Sequence, residues 1–480
     1  MTRPDEILAE LRALAADDAP THGGRVLSYV YDSGRSELAQ LAHDAAGIVQ
    51  WVNGLDPTTF PSVGRLEREL VAFARPLFHG GDDVVGSVTS GGTESCLLAV
   101  RTARDVWRAR GGEGRARLLA PATVHAAFHK AAHLFDLALD LVPVDPVTGA
   151  VEAAAVIDRL GPDVALVVLS APSYPFAGLD PIAEVAPRAA DAGVAVHVDA
   201  CIGGFALPWW PHLDAWDFRV PGVTSISADL HKYGYAPKGA SLLLHRGRER
   251  HAAQYFATTR WPGYPVVNPT LLGSKPAGPL AAAWAITRLL GVDGYRALID
   301  RARLATERLV TAAGDIDGLR VVGTPVGPLF AIATEAAVPP ERRVDPHHLA
   351  DAVRRRGFVL QQQPALTQGD GSRLPRTTHL TITPVTADRL DDLVAALVAA
   401  ADEVRGVPPI DATPLVAGLM AAGSPAEAVA ALGITPGGAL PDVQAPLTAL
   451  IEAVPADAAG GMLIALLQAL VDPDTPPIPD

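Results

Sequence analysis

The chain has 480 residues, with 53 acidic against 39 basic side chains and a net charge of -14. At roughly 150 residues per domain, this length allows about three domains, or one large and one small domain with an appendage, and 49% apolar residues supply a sizeable core. No segment carries the basic patch of a nucleic-acid binder. Two cysteines, Cys96 and Cys201, exclude a disulfide framework or a four-sulfur metal site.

The opening MTRPDEILAELRALAADDAP reads as a short acidic helix without the basic-then-apolar order of a signal peptide. From Asp83 to about His245, short apolar runs alternate with helix-period segments. The predicted strands are Val84–Thr89, Arg117–Pro121, Leu139–Val144, Val164–Ser170, Val194–Asp199, Val223–Ala228 and Ser241–His245. The intervening helices are Glu94–Arg110, Ala126–Phe135, Val151–Arg159 and Ile182–Ala192. Runs of Val, Ile and Leu without alternation mark strands buried on both faces, and helices between strands imply a mainly parallel sheet in an α/β fold. Arg246–Pro279, rich in Gly, Pro and aromatics, reads as a long ordered loop, followed by a helix over Leu280–Ala313. Residues 317–402 read as a smaller strand-and-helix domain. His347 and His348 fall on an expected surface helix within it, and the tail from Gly406 holds short amphipathic helices. The longest late apolar run, Met462–Val471, is roughly ten residues against the ~20 needed to span a bilayer. A reducing, cytoplasmic setting without a membrane span is expected.

Charged residues at strand ends carry the chemistry. VAVHVDA puts Asp199 at the carboxyl end of a buried strand, and SISADLHKYG puts Asp229, His231 and Lys232 just past another. Ligands of open parallel sheets bind outside those ends, and a lysine there offers a reactive amine. Ser90–Gly91–Gly92–Thr93 joins a strand to a helix, so free amides and the helix dipole form a phosphate seat. His125 opens another helix after a strand, where its ring can stack on a flat cofactor. Phosphate seat, stacking ring, buried acid and strand-end lysine together describe pyridoxal 5′-phosphate, with Lys232 as its Schiff-base residue and Asp199 on its ring nitrogen. His125, His129 and His133 share one helical face, but without the Glu of a zinc-protease helix no metal site is assigned. Cys201 reads as a small core residue, and Cys96 as a packing residue in a first helical turn, where the dipole lowers a thiol pKa.

These residues lie in TSGGTES (89–95), HAAFHKAA (125–132), HVDACIGGF (197–205), DFRVPGVTSISADLHKYGYAPKG (217–239) and NPTLLGSKPAG (268–278). In them the chain resembles the pyridoxal-phosphate-dependent lyases and group II decarboxylases of aminotransferase fold type I, and among these the sphingosine-1-phosphate lyases. The resemblance implies a large domain with a seven-stranded sheet, a smaller C-terminal α/β domain, and a homodimer acting on a small-molecule amine. It supports Lys232 and Asp199 in the roles given. It also places Gly92 and Thr93 on the phosphate, His125 stacked on the ring, and His231 beside it. Ser274 would reach the cofactor phosphate of the neighbouring subunit. Tyr31 and Lys238 match substrate-side residues, and Asn53 matches an asparagine near the cofactor. The implied division is an N-terminal segment (1–60) serving active site and dimer, a large cofactor domain (61–313), a small domain (314–405) and a helical tail (406–480).

One departure stands out. Asp56 and Thr58 occupy positions where the resembled pattern has histidine and aspartate. A carboxylate near a substrate phosphate would repel it. The expected reaction is cleavage of the Cα–Cβ bond of a sphingosine-1-phosphate-like 2-amino-3-hydroxy compound to an aldehyde and an amine. Amino-acid decarboxylation is the alternative, with Arg373 or Arg376 to hold a carboxylate. An aminotransferase-like reaction or a non-catalytic protein of the same fold are lesser ones.

Overall fold

A computed structural model describes residues 3–421 and 443–472. Its helices are α1 (Pro4–Leu14), α2 (Ser36–Ile48), α3 (Pro61–Leu77), α4 (Gly92–Ala109), α5 (Ala126–Phe135), α6 (Ala153–Ile157) and α7 (Ile182–Asp191). The first seven strands are β1 (Val84–Thr89), β2 (Arg117–Pro121), β3 (Ala138–Val142), β4 (Val164–Ser170), β5 (Ala195–Asp199), β6 (Val223–Asp229) and β7 (Ser241–Arg246). They form one sheet in the order β1-β7-β6-β5-β4-β2-β3. Only β7 runs against the rest, pairing antiparallel with both β1 and β6. This is the mainly parallel large sheet expected, and each predicted strand and helix lies within a few residues of its place. All seven residues of β4 are buried, which explains why its sequence, VALVVLS, does not alternate.

The segment read as a long loop contains α8 (Arg248–Ala253) and a small hairpin of β8 (Phe256–Thr258) and β9 (Val266–Asn268). Three-residue strands are too short to show a period, so composition alone suggested loop. Helix α9 (Gly278–Gly314) bends at Gly291, where φ 53 and ψ -170 suit only glycine. Its first half buries Ala282 and Ile286 in the core of the large sheet. Its second half buries Ala305 and Leu309 in a separate core.

That second core lies under a four-stranded sheet of β10 (Leu319–Val321), β11 (Leu329–Thr334), β12 (Gln361–Gln363) and β15 (Thr377–Thr381), in the order β10-β11-β15-β12. A further hairpin pairs β13 (Leu366–Thr367) with β14 (Arg373–Leu374). Helices α10 (Pro346–Arg354) and α11 (Leu390–Val404) cover the sheet. Leu27 joins this core, and its backbone N–H donates to Val359 O at 2.9 Å. The N-terminal segment is thereby stitched to the second sheet.

The described tail comprises α12 (Thr413–Ala421), α13 (Ala445–Ala453) and α14 (Ala456–Val471). The Asp351 carboxylate of α10 accepts the Gln444 and Ala445 N–H groups at 3.0 Å each, capping α13. The Glu452 carboxylate, 2% exposed, accepts from Arg376 Nε at 2.6 Å and from Ala365 N at 3.0 Å. These contacts overturn two expectations. His347 is 1% exposed rather than on the surface; its Nε2 meets Gln363 O at 2.9 Å and its Nδ1 faces Glu452 at 4.0 Å. His348 is half-buried. The sequence of α10 gives no notice that another helix covers it. Among the described residues no helix is long and apolar enough to cross a membrane.

Glu452→Ala leaves the largely buried Arg376 cation with Asp345, 3.5 Å away, as its one remaining acidic partner among the described residues. The expected loss is about 3 kcal/mol of unfolding free energy, typical of a buried pair deprived of one partner. Urea unfolding measures it, and a loss under about 0.5 kcal/mol, the range of ordinary surface substitutions, would show that the tail is not anchored there.

Candidate active site

The carboxyl ends of β1, β2, β4, β5 and β6 open onto a cleft of about 410 Å³. Asp199 ends β5 and Asp229 ends β6. In the parallel register Asp199 lies opposite Ser227, so Asp199 and Asp229 point to the same face. Asp199 Oδ1 is held by the Cys201 N–H at 3.0 Å, and Ser227 Oγ lies 3.4 Å away.

The turn after β6 carries Lys232 back over Asp229, with Nζ 2.9 Å from the carboxylate. Burial alone would raise the Asp229 pKa, yet Lys232 and His231 outweigh it and hold the carboxyl below its ordinary range. Burial alone would likewise lower Lys232, and Asp229 together with Tyr31, Cys201 and Asp199 outweighs it, keeping the amine well above the usual lysine range. Each group charges the other. Two buried atoms here lack partners: Asp229 Oδ1 and His231 Nδ1. A Cβ on Gly92 would stand 2.7 Å from both Asp229 oxygens, so only glycine lets α4 begin beside that carboxylate.

Ser90, Gly91, Gly92 and Thr93 line the cleft at the amino end of α4. His125 caps α5, its Nδ1 accepting the Ala127 N–H at 3.2 Å, which fixes the ring plane at the cleft wall. Burial pulls its pKa down, so the neutral acceptor form suits this bond. Tyr31 packs edge-on against Tyr233, and burial pushes its hydroxyl up to about 12. Lys238 stands over the Tyr31 ring at 4.7 Å and donates to Tyr29 O at 3.1 Å. Burial, reinforced by the charge on Lys232, lowers its pKa.

The cleft therefore gathers Lys232, Asp199, His125, His231, Gly92, Thr93, Tyr31 and Lys238. It does not gather Asn53 or Ser274. These two meet elsewhere: Asn53 Nδ2 donates to Ser274 Oγ at 3.2 Å, and Asn53 Oδ1 accepts the Leu55 N–H at 3.0 Å. Asp56 also lies outside it, its carboxylate taking up the hydroxyls and N–H groups of Thr58 and Thr59. Those bonds hold it below the usual carboxylate range. Arg373 and Arg376, candidates for a carboxylate grip, both turn to Glu452 and do not line the cleft.

Tyr29 and Tyr174 also line the cleft, and neither was singled out from the sequence. Cys96 and Cys201, distant in the chain, come together with Asp199, their ligand atoms all within 4.8 Å. Burial pushes the Cys96 thiol up, so desolvation overrides the helix dipole that was expected to lower it. His129 and His133 are exposed on α5.

Comparison with known proteins settles the family. Residues 52–312 match the pyridoxal-dependent decarboxylase conserved domain. The chain belongs to the pyridoxal-dependent decarboxylase family. Among relatives of this family member, the sphingosine-1-phosphate lyase of Dictyostelium discoideum is 36% identical over 69% of this chain and 63% of its own length. That of Arabidopsis thaliana is 33% identical over 84% of this chain and 73% of its own length. The match thus spans under two thirds of the Dictyostelium relative. A solved sphingosine-1-phosphate lyase from Burkholderia pseudomallei superimposes with a TM-score of 0.78 at 35% identity, covering 85% of this chain and 92% of that one. Glutamate decarboxylase from Lactobacillus brevis, at 20% identity and TM-score 0.74, shares the fold. The fold is type I, and the cofactor is pyridoxal phosphate. The cleft fits it: an amine stored on a carboxylate, orphaned polar atoms, and a glycine approach at a helix amino end.

In Asp229→Asn, burial acts on Lys232 unopposed by its strongest partner. Competitive acetylation of Lys232 against pH is then expected to shift its midpoint down by roughly one unit or more. An unchanged midpoint would show that Asp229 does not hold the charge.

Proposed function

We propose that the protein is a pyridoxal-phosphate-dependent carbon–carbon lyase that cleaves the Cα–Cβ bond of a 2-amino-3-hydroxy substrate, releasing an aldehyde and an amine. One observation favours this over amino-acid decarboxylation. Among the described residues the cleft lining contains no arginine, and Arg373 and Arg376, the two considered for a substrate carboxylate, are turned to Glu452. The relatives named above, sphingosine-1-phosphate lyases at 33–36% identity, support the same reading.

Bound in the cleft, the cofactor supplies an electron sink for the bond that breaks. Lys232 would hold it covalently and yield its place to the substrate amine. Asp199, fixed by the Cys201 N–H, would keep the ring nitrogen protonated. Gly92 and Thr93 would present α4 amides to the phosphate, and His125 would cover the ring face. His231, its pKa lowered chiefly by burial, would lie beside it. Lys238 lines the cleft beside Tyr31, its pKa lowered by burial and by the charge on Lys232, and would handle protons at the reacting carbon. Tyr31 stays protonated up to about pH 12 and would donate a hydrogen bond.

The reading includes a homodimer. Trp51 is 89% exposed and Tyr264 63%, near the Asn53–Ser274 contact, and a second copy would cover them. Ser274 would then serve the neighbour's cofactor phosphate.

Purified protein with pyridoxal phosphate should show an absorbance band that Lys232→Ala abolishes. A panel of amino alcohols and amino acids should give aldehyde; carbon dioxide without aldehyde would favour the decarboxylase. Sedimentation should report a dimer, and Ser274→Asp should weaken cofactor binding through charge repulsion. A monomer with full cofactor affinity would remove the shared-site element.

A further inference from the structure

A separate cavity of about 220 Å³ lies at the edge of the large sheet opposite the cofactor cleft. Ala165 and Ala195 line it at the amino ends of β4 and β5, whose carboxyl ends carry the cleft. Trp107 from the last turn of α4, Arg110 just past it, and Arg250 of α8 complete the wall. Among the described residues no acidic side chain lines it.

In a chain of net charge -14, these two arginines stand without a counter-charge. Among the described residues neither side chain has a hydrogen-bond or ion-pair partner. Arg250 Nε is buried and unsatisfied. Burial, and then the charge on Arg110, lower the Arg250 pKa, and no carboxylate opposes them. A half-buried guanidinium in this state is costly, because it has left water for neither a hydrogen bond nor an opposite charge. The cavity beside it leaves room for the missing partner.

The surrounding elements hold both cations in place. Helix α8 is fixed by His251, whose Nε2 lies 2.8 Å from Ser87 Oγ of β1, and by Gln254 O, which accepts from Arg101 Nη2 at 2.5 Å. Trp107 Nε1 donates to Pro162 O at 2.8 Å, and a Cβ on Gly112 would stand 2.3 Å from the ring, so the indole is locked as a wall. The carboxyl end of a helix works against an anion. Here the O atoms of Val106, Trp107 and Arg108 already accept the N–H groups of Arg110, Gly112 and Gly111 at 3.1, 3.0 and 3.0 Å. Two full positive charges outweigh the half charge that remains.

We propose that this cavity is an anion site, distinct from the cofactor cleft, that takes a phosphate group between Arg110 and Arg250. A guanidinium is planar, keeps its charge, and presents paired N–H groups that match two oxygens of a phosphate. An anion placed between the two turns a repulsive pair into two charge-assisted contacts. The site stands whichever reaction the cleft performs.

The test titrates inorganic phosphate calorimetrically into the protein loaded with pyridoxal phosphate, in a phosphate-free buffer of low ionic strength. The cofactor then fills its own phosphate seat, and screening is weak. One saturable phosphate per chain is expected. Arg250→Met should weaken it about tenfold or more, the effect of losing a charged hydrogen-bonding partner. Arg110→Gln should weaken it about threefold or more. Arg108→Gln, on the same helix but outside the cavity, should match the wild type. The rise in melting temperature that phosphate gives the wild type should vanish in Arg250→Met. Acetate at equal ionic strength should not compete. The proposal is overturned if the wild type binds no phosphate, if binding survives Arg250→Met and Arg110→Gln unchanged, or if acetate competes equally. Arg110 is exposed, so its variant decides the question should Arg250→Met fail to fold.

Discussion

The ion pair between Lys232 and Asp229, 2.9 Å apart with the carboxylate side chain 1% exposed, is the constraint around which the site is organised. A buried carboxylate is costly without a counter-charge, and a buried amine tends to lose its proton. Placed together at the end of β6, each keeps the other charged. Gly92 follows from this, because α4 begins where a side chain would strike the Asp229 oxygens. The phosphate seat and the amine are therefore fixed relative to each other by a single close approach.

The large sheet collects the remaining groups. Its parallel strands bring Asp199, Asp229 and the turns after β1 and β2 to one edge, where loops are free to carry chemistry. The site is not complete within that sheet. Tyr29 and Tyr31 come from a segment whose backbone is stitched to the second sheet at Leu27. Gln361 of β12 reaches back to Tyr29 and Tyr174, while its neighbour Gln362 accepts from Thr448 of α13. Adjacent residues of a strand face opposite ways, so β12 presents one glutamine to the cleft and the next to the tail helix. The tail and the cleft are thus two faces of the same short strand.

The departures at 56 and 58 acquire a physical reading in the fold. Asp56 spends its carboxylate on the turn that precedes α3, bonded to Thr58 and Thr59. In the described chain it does not face the cofactor cleft, and its negative charge is spread over four local donors.

The sequence by itself determined the strands, the order of the chemistry and the cofactor. Local apolar runs reported buried strands, and each of Asp199, Lys232, His125 and Gly92 sits beside a strand end that such a run locates. Tertiary structure alone decided which distant groups meet. Cys96 beside Cys201, Tyr29 clamped by Gln361, Asn53 on Ser274, and His347 buried under Glu452 are contacts between segments with no periodicity in common. Spacing along a chain encodes which face a residue takes within its own element; it carries no record of the second element that will cover that face.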